Sequence, residues 1–461
     1  MNPGLIQLLR STGPQPAGAL AERMAISRPT LSRLVRAAGD DLVSLGNARR
    51  TAYAARRPLR GATAPLPLFR IGLDGMPAEI GQLALIHPYG CAVEFRAPFG
   101  WPMDDTMSNG WFEGLPYPLQ DMRPQGFLGR NFARRHAAVL QVGEDPSTWS
   151  DDDALYALAV LGADTPGDLL VGEAACRLWL AHVQSVKAGT AEPGVTDEQQ
   201  AARYPAYAQQ ALSLGIAGSS AGGEFPKFTA LRRRPDGSDQ HVLVKFSGSD
   251  DSPGTQRWSD LLVCEHLAGR VVQAELGVAA ATSRIAQAGG RTFLEVDRFD
   301  RHGALGRSAL VSWLSVNSAL VGQVGRPWAD TVSALLPQRW VTRQAIEVIR
   351  TVWMFGQLIG NTDMHDGNLS FVPAGGARAN GLALAPTYDM LPMGYAPVRG
   401  VELTPWTFTP RLPLPAETAA WNQAARAAVV FWQTAAADAR ISGEFQRICA
   451  ANAQSLAQWL A

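Results

Sequence analysis

Lysine is nearly absent from this chain. Of 41 basic residues only Lys187, Lys227 and Lys245 are lysines; the other 38 are arginines. None of the three follows a glycine, which excludes the GK[ST] phosphate-binding loop. The bias is one of genome composition, and it makes each surviving lysine worth a question. Cysteine is also scarce: Cys91, Cys176, Cys264 and Cys449 lie far apart with no CxxC pair. A disulfide scaffold and a cysteine zinc site are therefore not expected, and a reducing cytoplasm is the expected location. No apolar run approaches the roughly 18 residues of a membrane-spanning helix, so no membrane partner is expected. The opening "MNPGLIQLLRSTG" has no basic stretch ahead of an apolar core and does not read as a signal peptide. Internal repeats are absent too.

What is present is ample: 461 residues, 46% hydrophobic and 18% charged, enough for two or three domains with their own cores. The net charge is zero but unevenly spread. Residues 1–60 hold ten arginines against Glu22, Asp40 and Asp41, a surplus of +7 that the rest of the chain must balance. A basic head on a mildly acidic body points to a nucleic-acid-binding module joined to something else.

The head has a readable order. Residues 4–12 and "PAGALAERMAI" form two short amphipathic helices. "SRPTLSRLVRAAG" follows, with Ser27 as N-cap, Pro29 in the first turn and Gly39 as terminator. Leu31, Leu34 and Val35 face inward, while Arg28, Thr30, Ser32, Arg33 and Arg36 face out. "DLVSLGNARRTAYAARR" reads as a hairpin turning at Gly46-Asn47, with Arg49 and Arg50 beside the turn. The expectation is a winged helix-turn-helix over 1–60 that binds duplex DNA; the plainer alternative is a basic helical bundle used for oligomerisation. "RPLRGATAPLPLF" (57–69) reads as a linker. Residues 67–186 form a mixed unit without a chemical motif, and 187–205 is a second polar linker.

Residues 206–461 carry the chemistry, in four pieces. The first is the loop "LGIAGSSAGGEFPKFTAL", whose small residues Gly218, Ser219, Ser220, Ala221, Gly222 and Gly223 let backbone N–H groups approach a phosphate. It also matches GxSxG, but a hydrolase elbow needs a strand before and a helix after; here Pro226 and a β-like run follow. The second is the strand "HVLVKFSGS", with Val242, Val244 and Phe246 on one face and Leu243 and Lys245 on the other. A lysine there needs a partner. Phosphate and Glu265 on the next helix would serve, Asp260 is a weaker candidate, and the bland reading is a snorkelling edge-strand lysine. The third, "RTFLEVDRFDR", is a strand turning polar that connects two lobes. The fourth is "GNTDMHDGNLSF" with "LALAPTYDML". It places Asp363 as a base for an incoming hydroxyl, with His365 beside it, and Asn368 and Asp389 as oxygen ligands. Asp and Asn are common turn residues, but the ordered set is the inventory of phosphoryl transfer from ATP with Mg²⁺.

These motifs resemble the HipA family of bacterial serine/threonine kinases, toxins of toxin–antitoxin systems. The resemblance covers about 69–445 and is strongest over 214–391. The basic head is similar to the YjjJ-type branch, in which a helix-turn-helix is fused to the kinase. The resemblance implies an α+β chain: a winged helix-turn-helix, a HipA N-terminal subdomain (67–186) and a two-lobed protein-kinase-like core (206–461). The core's ATP-binding lobe would end near 300, and a mostly helical lobe would follow. It further implies Asp363 as catalytic base, Lys245 as ATP lysine, and Asn368 and Asp389 on Mg²⁺. Val296, Asp297 and Phe299 would lie near the adenine, and Ser220 or its neighbour Ser219 would be the autophosphorylated residue. The Gly/Ser loop departs from the family's prototype by being longer and carrying Glu224. A protein substrate and an antitoxin are the implied partners. The prototype's target, a glutamyl-tRNA synthetase, does not carry over, because nothing here reads out that substrate. Two rivals remain at this point: a small-molecule phosphotransferase of the aminoglycoside-kinase type, and a transcription regulator whose kinase-like body only binds a ligand.

Overall fold

The computed structural model describes residues 3–46, 50–213, 225–375, 381–398 and 402–460. The head comprises three helices and a small sheet. Helices Pro3–Thr12, Ala17–Arg23 and Arg28–Ala38 pack around Leu5, Leu9, Leu20 and Leu31. Ser27 caps the third, its hydroxyl accepting from the Thr30 N–H at 3.3 Å, and Gly39 ends it with φ +50°. Strands Leu42–Leu45 and Ala52–Ala55 pair antiparallel, Leu42 opposite Ala55. A third strand, Gln15–Pro16, adds to the free side of Ala52–Ala55. Two residues, one of them proline, leave no periodic signal, so this strand is invisible to pattern reading.

The expected linker at 57–69 is not one. One face of the hairpin (Val43, Ala52, Ala54) is buried against Ala84, Ile86, Ala92 and Trp111 of the next unit. The Arg57 N–H donates to the Leu85 carbonyl at 2.8 Å, and its guanidinium pairs with Asp152, Nη2 to Oδ1 at 2.8 Å. Arg60 pairs with Asp153. A hairpin apolar on both faces must be covered on both, and Pro/Gly content says nothing of that need.

The middle unit is a five-stranded antiparallel sheet. In spatial order its strands are Trp111–Phe112, Cys91–Phe95, Pro77–Leu85, Leu66–Ile71 and Leu169–Val171. Its main helices are Gly126–Leu140, Asp151–Leu161 and Glu173–Lys187. The second expected linker is also corrected, since helix Asp197–Ser213 begins inside it and runs through the proposed boundary at 206. That helix is anchored by the fully buried Tyr204, whose hydroxyl donates to Glu295 at 2.5 Å. Gln200 donates to the same carboxylate at 3.1 Å, and Arg232 Nε lies 3.0 Å from it. A buried carboxylate on the outer sheet face demands such donors, and two of them, Gln200 and Tyr204, come from the segment that reads as polar.

The sheet of the third unit is ordered Ser283–Ala288, Arg291–Asp297, Asp239–Phe246, Lys227–Arg233, all antiparallel. Val242, Val244 and Phe246 pack with Phe228, Phe293 and Tyr204 beneath the helix just described. The opposite face meets the 24-residue helix Pro253–Leu276. Beyond it lie helices Trp313–Leu320, Trp328–Val332, Arg343–Leu358, Thr418–Ala437 and Gly443–Ala457. One continuous apolar core runs from Leu68 of the middle unit to Leu456, so the middle and C-terminal units share an interior. The whole is a mixed α/β protein. Among the described residues no helix is long and apolar enough to cross a membrane.

Candidate functional site

Lys245 lies on the second strand from the sheet's edge, flanked by strands on both sides, and is 5% exposed. The edge-strand snorkel is therefore ruled out. Its ammonium donates to both oxygens of Glu265, at 2.7 and 2.8 Å, and to Asp389 Oδ1 at 2.5 Å. Burial works against the charge on Lys245, yet Asp389 and Glu265 outweigh it and hold the ammonium well above its ordinary value. Burial pushes the Glu265 carboxyl up to about 7, against the pull of Lys245. For Asp389 burial acts upward but Lys245 wins, and the carboxyl stays below its usual range. Asp260 is spent elsewhere: it accepts from the N–H and hydroxyl of Ser442, the N-cap of the last helix, at 2.8 and 2.6 Å.

The opening motif forms a short, tightly tied loop after helix Arg343–Leu358. Asn361 accepts from the Asp363 N–H at 3.1 Å through its side-chain oxygen and donates to the Asp389 carbonyl at 3.3 Å. Asn368 Nδ2 donates to the Asp363 carbonyl at 2.8 Å, which leaves the amide oxygen as its free end. Tyr388 donates to the Gly367 carbonyl at 2.7 Å, and its oxygen lies 2.7 Å from Ser370 Oγ. Burial raises the Tyr388 phenol, so it stays a donor. The result is an exposed Asp363 carboxylate on a fixed backbone. His365 is exposed as well, its Nδ1 accepting from the Gly367 N–H at 3.0 Å, which makes it a brace for the turn. Asp389 takes a left-handed φ of +59°, a strained conformation for a non-glycine residue. From that backbone its carboxylate meets Lys245.

A cleft of about 850 Å³ collects these groups; the volume lies within the usual range for ligand sites. Lys245, Glu265, Asp363, His365, Asn368, Asp389, Val296, Asp297 and Phe299 all line it. Asp297 is less available than expected. Its side chain takes Arg234 at 2.5 Å, its N–H donates to the Thr282 carbonyl at 2.8 Å, and the next N–H, of Arg298, donates to His241 at 2.9 Å. Gly218, Ser219, Ser220, Ala221, Gly222, Gly223 and Arg49 lie outside the described residues. The helix Asp197–Ser213 precedes that Gly/Ser segment and the strand Lys227–Arg233 follows it. This is the reverse of a hydrolase elbow.

Sequence reasoning missed the other wall of the cleft. Asp121, Arg123, Leu128, Phe132 and Asp164 come from the middle unit, which shows no motif. In the head, Arg28, Ser32, Arg33, Arg36 and Arg50 are exposed, and none lines the cleft. Thr30 is half-buried and engaged with the Ser27 hydroxyl at 2.9 Å, a capping residue more than a reading one.

Comparison with known proteins gives the family and the fold. A family described as the YjjJ-like toxin middle domain matches residues 62–180, and the HipA-like C-terminal domain matches 219–459. Toxin YjjJ of Escherichia coli strain K12 is 38% identical over 438 residues, covering 95% of this chain and 93% of that protein. Among solved structures, the complex of the Shewanella oneidensis MR-1 toxin–antitoxin system HipA, HipB and its operator DNA aligns with a TM-score of 0.53 at 17% identity. The alignment covers 85% of this chain and 95% of that one. At such identity the likeness is one of fold.

Proposed function

This chain belongs to the HipA-related family of YjjJ-like toxins, and from that premise we propose that it is a serine/threonine protein kinase using Mg-ATP. One observation carries the reading: Lys245, bound to Glu265 and Asp389, shares a cleft with Asp363 and Asn368. Lys245 is a fixed cation for the triphosphate. Asp363, open and held through its backbone, orients the acceptor hydroxyl and takes its proton. Asn368 and Asp389 suit magnesium, both being hard oxygen donors. Bound there, magnesium would neutralise charge on the transferring phosphoryl group. Asp389, which pairs with Lys245 in this structure, and Asn368 are the residues that would hold that ion.

The toxin role is growth inhibition through phosphorylation of a cellular protein, with self-modification at Ser220 or Ser219 as restraint and an antitoxin as a further partner. The head is a winged helix-turn-helix that presents Arg28, Arg33 and Arg36 to duplex DNA. The deciding experiment is incubation with radiolabelled ATP and Mg²⁺, with and without cell lysate. Label on serine or threonine of this chain and of a lysate protein is the expected result. Nucleotide binding without any protein label would overturn the reading, and label on a small molecule alone would favour the small-molecule phosphotransferase.

A further inference from the structure

We propose that the middle unit completes the nucleotide site, with Asp164 accepting a hydrogen bond from the nucleoside part of the triphosphate. The inference rests on the kinase reading and extends it to a residue outside the kinase-like core. Asp164 lies in the loop after helix Asp151–Leu161 and lines the same cleft as Lys245 and Phe299. Its side chain is 59% exposed. The loop is clamped to the segment that joins the two lobes. Arg301, almost wholly buried, donates to Asp300 at 2.6 Å, to the Gly167 carbonyl at 3.0 Å and to the Thr165 carbonyl at 2.5 Å. The Gly167 N–H returns a bond to Asp300 at 2.9 Å. The carboxylate of Asp164 therefore has a fixed position.

What it offers follows from how its two oxygens are used. Arg298 and Arg301 both donate to Oδ1, at 3.3 and 3.1 Å. Among the described residues none donates a hydrogen bond to Oδ2. Although desolvation acts the other way, Arg298, Arg301 and Arg307 hold the carboxyl well below its ordinary range, so it remains an acceptor at any working pH. The neighbouring amides of Asp297 and Arg298 are already spent on Thr282 and His241. A nucleoside entering this end of the cleft thus meets a charged acceptor more readily than those two backbone donors. It has two kinds of donor to give, the exocyclic amine of adenine and the ribose hydroxyls, which carboxylates bind in other nucleotide sites.

The test uses the full chain and direct binding of four magnesium complexes: ATP, inosine triphosphate (no amine), 2′-deoxy-ATP and 3′-deoxy-ATP. The wild type should prefer ATP by about tenfold to a hundredfold over the analogue lacking the relevant donor, as expected for a hydrogen bond to a charged group. Asp164→Ala should bring ATP down to that analogue and leave the analogue's own affinity nearly unchanged. Asp164→Asn keeps the shape. The arginines would claim its oxygen and turn its NH₂ to the cleft, so it should weaken ATP further and, if the amine is the donor, favour inosine triphosphate. If both variants weaken all four nucleotides equally, Asp164 is only part of the clamp and the inference falls alone. If the wild type binds none of the four, the kinase reading falls and takes the inference with it.

Discussion

Replacing Lys245 with methionine tests the centre of the site through stability, independently of any activity. The substitution keeps the apolar stem and removes the cation from between two carboxylates. Breaking one side of a buried pair leaves an uncompensated charge and typically costs about 3–5 kcal/mol. Here the loss must depend on pH, and the sign follows from which group titrates. Lys245, raised, contributes stability that is lost only as pH climbs above its ordinary lysine range. Asp389, lowered, contributes stability that is lost only as pH falls through the acid range below its ordinary value. Of these three groups the one that titrates between pH 5.5 and 8 is Glu265, raised by burial from 4.5 to about 7. Its neutral form is favoured in the folded state, so lowering the pH through that window favours folding, by up to about 1.4 kcal/mol per pH unit. Without Lys245 the carboxyl is pushed higher still. The deficit of Lys245→Met, measured by urea titration of tryptophan fluorescence, should therefore be largest at pH 8 and shrink by on the order of 2 kcal/mol at pH 5.5. Adding Glu265→Gln should remove the pH dependence. A deficit equal at both pH values, or larger in acid, would refute the buried Lys245–Glu265 pairing.

Three further outcomes check other parts of the molecule. Asp363→Asn should lower phosphate transfer by a hundredfold or more, a general-base effect of about 10²–10⁴, while nucleotide binding persists; Asp389→Ala should weaken Mg-ATP binding itself, as equilibrium titration would show. Intact-mass and peptide mass spectrometry after incubation with Mg-ATP should place phosphate between residues 215 and 227, and phosphate only elsewhere would remove self-modification of Ser219 or Ser220 from the account. In a salt series comparing the chain's own promoter with scrambled DNA, the full chain should keep a preference of about a thousandfold at physiological salt. Arg33→Ala should shrink that preference and Arg50→Ala should weaken both DNAs alike; no preference at any salt would leave the head a non-specific or protein-binding module.

The sequence by itself determined the features set by close neighbours along the chain: one helix's ends, one strand's faces and one short loop. Ser27, Pro29 and Gly39 mark one helix because caps and terminators act within a turn. Alternation around Lys245 marks its strand and both of its faces, and the spacing of Asp363, His365 and Asn368 is already the geometry of a single short loop. Glu265 was legible too, because a lysine in an apolar strand requires a counter-charge and helical periodicity narrows where it can stand. Tertiary structure alone decided the rest. The supposed linkers fold against neighbouring units because the far face of a hairpin and the carboxylate of Glu295 need partners that no local pattern names. The hinge carboxylate of Asp297 proved to be spent on Arg234, which lies far from it in the chain. The second wall of the cleft, with Asp121 and Asp164, comes from a unit without a motif. Its residues acquire their chemistry only from what the fold sets opposite them, and a pairing across more than a hundred residues leaves no trace in the order of either segment.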